Sequence, residues 1–175
     1  SDYEDRERQI DARRLLVQRQ VSMALHSPQI ERGLNIDRYQ AMEHAIMANY
    51  LERMGDHAQT FASLVDGAEN KIDFSESQLP MAAIPIWLSS LRAIIRNTYS
   101  KDISVLIKAK QDLTKATADL EHHENELMSS RARATSVLSE FRISAIVRRL
   151  CGYSIDLTET LINMLIAGKT EAYGK

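Results

Sequence analysis

Apolar residues recur along most of this chain at intervals of three and four, the spacing that lines one face of an α-helix. The clearest run is Tyr39, Met42, Ile46, Tyr50, Met54, His57, Phe61 and Leu64. Asp37, with Gln40 three residues on, has the pattern of an N-terminal capping box, and Gly67 is a natural C-terminal stop. The spacing predicts a helix over 37–66, 30 residues and about 45 Å long.

Four more helices follow from the same pattern. The first runs from about Tyr3 to His26, with Ile10, Val17, Val21 and Ala24 on one face and Ser27-Pro28 at its end. A short turn over 28–33 leads onward. After a polar loop over 66–78, Pro80 opens a helix to about Tyr99, with Pro85 either kinking its first turns or delaying its start. Ser100 is the expected N-cap of a fourth helix to about Met128. Ser130 is that of a fifth, ending before Gly168, with room for a break near Glu140. The 66 residues between Pro85 and Gly152 hold neither Gly nor Pro, which excludes a hairpin-rich β fold. The pattern predicts an all-α antiparallel bundle of five helices, with the loop over 66–78 as the candidate linker.

Composition narrows the class. In 175 residues, 44% are hydrophobic and 26% charged, enough for a core and too apolar for a disordered tail. The single cysteine, Cys151, excludes an internal disulfide and a thiolate metal cage, and fits a reducing, cytoplasmic setting. A net charge of -2 argues against a dedicated nucleic-acid binder. The longest apolar run, Leu79 to Leu88, is ten residues with two prolines, too short for a membrane span. No secretory leader pattern is visible at the N-terminus.

Two acidic pairs carry the candidate chemistry: Glu7 with Asp11 and Glu52 with Asp56. Residues four apart lie one above the other on a helix, so each pair can share a cation. On spacing alone such pairs usually form a solvated face. An oxygen-rich site of this type suits Mg²⁺, Mn²⁺, Fe or Ca²⁺.

The segment LERMGDHAQTFASL, Leu51 to Leu64, resembles the signature LERIGDHAxNIAE of PhoU-type phosphate uptake regulators. RRLLVQRQVSMAL, Arg13 to Leu25, resembles the preceding helix of that family, especially in forms fused to an AbrB-like DNA-binding domain. The resemblance is strong over 7–64 and diffuse afterward. It implies two three-helix bundles in tandem, here a first repeat over 1–70 with two helices and a second, degenerate repeat over 79–170 with three. It also implies metal ligands of the form Glu/Asp-x-x-x-Asp, hence Glu7, Asp11, Glu52 and Asp56. The implied function is a non-catalytic adaptor whose partners are a phosphate transporter's ATPase and a sensor kinase. The bundle's first helix would then lie upstream of Ser1, leaving Leu15, Leu16, Met42 or Met47 uncovered and favouring a homodimer. DNA contact, as in a transcription regulator, would belong to an upstream domain.

A second copy is traceable at an offset of 96, where Arg53 pairs with Arg149, Met54 with Leu150, His57 with Tyr153, Ala58 with Ser154 and Phe61 with Leu157. The acids do not repeat. Arg148 stands where Glu52 stands, Gly152 where Asp56 stands, and on the fourth helix Lys108 takes the first acid's place before Asp112. At most one metal site is expected, in the first half. Asp156 and Glu159 read as a solvated pair. Arg53 and His57 are the candidate partner-binding residues: Arg53 is either structural or docks an acidic partner, and His57 lies on the apolar series, where a core or interface role is expected.

Other residues have blander readings. His122 and His123 point about 100° apart on a helix and read as polar surface. Cys151 reads as a small buried residue, and Trp87, Met81, Ile84 and Leu88 as core. Two further classes compete with the adaptor. A ferritin-like dimetal carboxylate enzyme needs Glu-x-x-His on two helices, which is absent from the chain; the nearest spacing is Asp119 with His122. A metal-free helical dimerisation module needs no motif. Neither a phosphate-binding loop nor a serine elbow is present.

Overall fold

The computed structural model describes residues 2–66, 75, 78–129 and 134–173. Among them there are six α-helices and no strand: α1 (Asp2–His26), α2 (Pro28–Leu34), α3 (Arg38–Asp66), α4 (Ala83–Ser100), α5 (Ile103–Ser129) and α6 (Ala134–Tyr173). The all-α bundle is as predicted, with one helix more. The turn expected over 28–33 is the short helix α2. Ser27 is extended and Pro28 opens the next helix, because a proline that cannot continue one helix is already shaped for the first turn of another. Asn35, at φ 52°, closes α2 in the left-handed region that Asn tolerates.

The capping box of α3 is formed on both sides. The Gln40 N–H donates to Asp37 Oδ1 at 2.7 Å, and the Asp37 N–H donates to Gln40 Oε1 at 3.2 Å. Gly67, the predicted stop, lies outside the described residues. The next helix begins at Ala83 and not at Pro80; the Leu79-Pro80 peptide is cis and a turn intervenes. Pro85 sits in the first turn of α4, where its missing N–H has no intrahelical partner to lose.

The α4–α5 corner also corrects the sequence reading. Ser100 is the last residue of α4, and Asp102 caps α5, accepting the N–H of Ser104 at 2.9 Å and its hydroxyl at 2.6 Å. These bonds hold the Asp102 carboxyl below the usual range. The corner folds around Asn97, which is buried. Its Nδ2 donates to the Asp102 carbonyl at 2.6 Å, and its Oδ1 accepts the Asp102 N–H at 2.8 Å. Ser130 lies outside the described residues. Helix α6 spans 40 residues without a break near Glu140 and continues past Gly168.

Helices α4, α5 and α6 pack together, α3 lies on α6, and α1 packs on α3 and α2. The main core joins Met54 of α3 to Ile94, Leu106, Leu113, Leu150 and Leu157. Helices α3 and α6 run antiparallel: Met47 shares a cavity with Leu161 and Leu165, and Phe61 packs on the Ile143 and Val147 cluster. A smaller core of Val21, Ala24 and Ala41, with Val17, Leu25, Ile30 and Ile36, holds α1, α2 and α3. Trp87 packs against the main core and donates its indole N–H to Ser154 Oγ at 3.0 Å; Leu88, predicted to be core, faces outward. Leu15, Leu16 and Met42 are about half exposed, whereas Met47 packs against the core.

Candidate functional site: the acidic face of α1 and α3

Gly55 sets how closely α1 approaches α3. A Cβ at this position would lie 3.1 Å from Ile10 Cδ1, tighter than ordinary contact, so a side chain there would require the Ile10 methyl to give way. The glycine of the Leu51–Leu64 segment therefore lies at the contact of α1 with α3. Immediately beside it, Arg6, Glu7, Ile10, Ala58 and Gln59 complete the lining of a cavity of about 240 Å³.

This approach brings three of the four predicted acids into one neighbourhood. The Asp56 carboxyl is pushed up, first by burial and then by the charges of Glu7 and Asp11, against the pull of His57 and Arg53. Glu52 faces a different partner. Arg14 Nε lies 3.6 Å from Glu52 Oε1, and Arg14 Nη2 lies 3.3 Å from Asp11 Oδ1. The same guanidinium donates from Nη1 to Gln18 Oε1 at 3.2 Å, and Gln18 Nε2 donates to Asn49 Oδ1 of α3 at 3.0 Å. Among the described residues no three His, Cys, Asp or Glu side chains form a group able to hold a metal ion.

Sequence reasoning missed Arg14. The signal was present as Asp11-x-x-Arg14, an i,i+3 spacing that places opposite charges side by side on a helix.

Round the α3 surface, Arg53 and His57 face α6. The His57 and Tyr153 rings stack with centroids 5.6 Å apart and planes 16° from parallel, and Tyr50 lies 6.4 Å from Tyr153. Arg53 lies near the Tyr153 hydroxyl, which, with the charges of Glu52 and Asp56, favours its charged form. His57 and Tyr153 are the residues matched at the offset of 96, and in the structure they stack on each other. Arg14, Ile46, Asn49, Tyr50, Glu52, Arg53 and Tyr153 line a cavity of about 430 Å³ between α1, α3 and α6.

Burial, then the charges of Arg149 and Arg53, push the His57 imidazole below its usual value, with Asp56 opposing. A histidine depressed in the fold binds its proton more readily unfolded, so its contribution is full above the unfolded value of about 6.5 and is lost as pH falls below it. Asp56 and Asp156, both raised, act in the opposite sense at lower pH. The histidine is therefore read by difference. Urea midpoints of the wild type should fall relative to those of His57→Phe, which keeps the stacking ring, between about pH 7 and 5. Parallel curves for the two proteins would remove His57 as the cause.

The two basic residues that stand in place of acids in the second half, Arg148 and Lys108, are paired with acids. Arg148 Nε lies 3.1 Å from Glu124 Oε1 and Nη1 lies 3.5 Å from Glu121 Oε1, while Ser144 donates to Glu124 Oε1 at 3.0 Å. Lys108 pairs with Asp112. Glu159, read with Asp156 as a solvated pair, is half exposed and meets Lys110 at 2.7 Å. His122 is exposed near Glu126, but His123, predicted to be surface, is largely covered, with Nε2 3.0 Å from Glu140 of α6. Cys151 is buried, and burial pushes its thiol up to about 12, which makes it inert as a nucleophile.

No curated protein and no solved structure matches the chain. The family model of the PhoU domain matches residues 1–65, and the match says nothing of an AbrB-like fusion. Its span runs from the start of α1 to the last turn of α3. It contains Glu7, Asp11, Arg14, Glu52 and Asp56 together with Gly55. In residues 1–65, with the acidic face they build, this chain is similar to a PhoU domain.

Proposed function

We propose that this chain is a regulatory adaptor of phosphate uptake that acts by binding other proteins and performs no catalysis. The observation that carries this reading is the PhoU domain over 1–65, a domain of phosphate-uptake regulation. The chemistry of the chain agrees with it: the one thiol is buried, and the cavity between α1, α3 and α6 is lined by binding groups, two of them guanidinium groups. Arg53, His57, Tyr50 and Tyr153 make the docking face, a cationic and aromatic surface suited to an acidic segment of a partner. The partner is the ATPase of a phosphate transporter or a sensor kinase. No helix among the described residues is long and apolar enough to cross a membrane, so contact with a transporter is made from outside the bilayer.

The test has a cellular and a molecular arm. Removing the coding sequence from its host should raise phosphate uptake in phosphate-replete medium, and Arg53→Glu/His57→Glu should fail to restore the wild-type level. The same variant should bind the transporter's ATPase or the kinase at least about tenfold more weakly, the loss of one or two central contacts. Unchanged uptake on deletion would overturn the reading.

A further inference from the structure

We infer that Arg14 is the resident cation of the acidic face: its guanidinium, between Asp11 of α1 and Glu52 of α3, takes the bridging place that the PhoU resemblance gives to a metal ion. An oxygen-ligated divalent cation collects about six oxygen ligands at about 2.0–2.6 Å. The described residues contain no group of three acids or histidines able to begin such a shell. Two of the four carboxylates are already engaged by one guanidinium, at 3.3 Å from Asp11 and 3.6 Å from Glu52. A divalent ion drawn to Glu52 would meet that fixed positive charge, so the donor set does not fit a metal.

Three features keep Arg14 in place. Its side chain is only 22% exposed and Glu52 is 21% exposed, so the pair is shielded from water. Its Nη1 bond to Gln18, and the Gln18 bond to Asn49, continue the bridge from α1 to α3. Nε is buried and makes no hydrogen bond, so its contact with Glu52 at 3.6 Å is an ion pair alone. A guanidinium also keeps its charge at every working pH, so no titration vacates the place.

The second half repeats the device at a matched position. Arg148 lies 96 residues after Glu52, and its guanidinium bridges α6 to Glu121 and Glu124 of α5. In each half one arginine joins two helices through acids. The polarity is reversed: in the first half the arginine is on α1 and its cross-helix acid on α3, and in the second the arginine is on α6.

The test uses the whole chain, stripped with EDTA and desalted, and Mn²⁺ alone as the probe. It compares wild type, Arg14→Leu, Arg14→Lys and Arg14→Leu/Glu52→Gln. Wild type should neither take up Mn²⁺ nor change its melting temperature when Mn²⁺ is added. Arg14→Leu should melt lower in EDTA, bind Mn²⁺ at least about tenfold more tightly than wild type, and recover part of its melting temperature with the ion. Arg14→Lys, which keeps the charge, should still refuse Mn²⁺, and the double variant should lose the gain. One Mn²⁺ per wild-type chain, with a rise in melting temperature, overturns the inference. So does an Arg14→Leu protein that folds and gains no affinity. Should Arg14→Leu fail to fold, the wild-type and Arg14→Lys titrations still decide it.

Discussion

Arg148→Leu should destabilise the chain by about 3–5 kcal/mol, because it strands a buried carboxylate. Glu124 is 7% exposed and its two side-chain partners are Arg148, at 3.1 Å, and the Ser144 hydroxyl. Without the guanidinium the carboxylate either keeps its charge among apolar neighbours or takes up a proton, and both cost free energy. At this size the loss corresponds to a melting temperature lower by roughly 10 °C. The partner variant Arg148→Leu/Glu124→Leu removes both charges and should recover most of the loss, since replacing a buried pair by apolar groups is often neutral. A double variant no more stable than Arg148→Leu would show that the pair is worth more than the desolvation it suffers. Calorimetry on the three proteins reads the difference directly.

The second large effect is expected at Leu113. This side chain is fully buried in the main core among residues of α3, α4, α5 and α6. Leu113→Ala removes its apolar contacts and leaves a cavity that the surrounding helices close only partly, a cost of about 2–5 kcal/mol. Leu16→Ala provides the contrast. Leu16 is 53% exposed, and surface changes of this type stay within about 0.5 kcal/mol. Urea unfolding should separate the two variants clearly. Equal midpoints would mean that the helices do not share the core described above.

What the sequence revealed depended on whether the deciding contacts were local. Helix α3 was legible because its capping box, Asp37 with Gln40, and its apolar series lie in one continuous window. Helix α2 was missed because Ser27-Pro28 ends one helix and opens the next, and the stop was the more familiar half of that signal. The start of α5 was expected at Ser100, and the structure uses Asp102 instead. The buried Asn97 side chain decides it by bonding the Asp102 backbone, and nothing in a local window says that Asn97 is buried. His123 was misplaced for a related reason: its partner, Glu140, is on another helix.

The candidate site divides in the same way. The acid pairs stood out at their i,i+4 spacing, and Asp56 does share a neighbourhood with Glu7 and Asp11. The neighbour that changes their chemistry, Arg14, contacts one acid within its own helix and one across to α3. Only the cross-helix contact reveals it as a bridge. Gly55 was read as part of a family signature, and its physical reason, the nearness of Ile10, required the packing of two helices.

The stack of His57 on Tyr153 has one more consequence. Two helical faces packed in this way can also join separate subunits, where their occupancy rises and falls with protein concentration. Here both belong to one chain, with α4 and α5 between them, and the second surface is always present at the effective concentration set by that tether. Dilution cannot separate them. The docking of α3 on α6 is therefore independent of how much of the protein a cell makes, and the face that carries Arg53 and His57 is assembled as soon as the chain has folded.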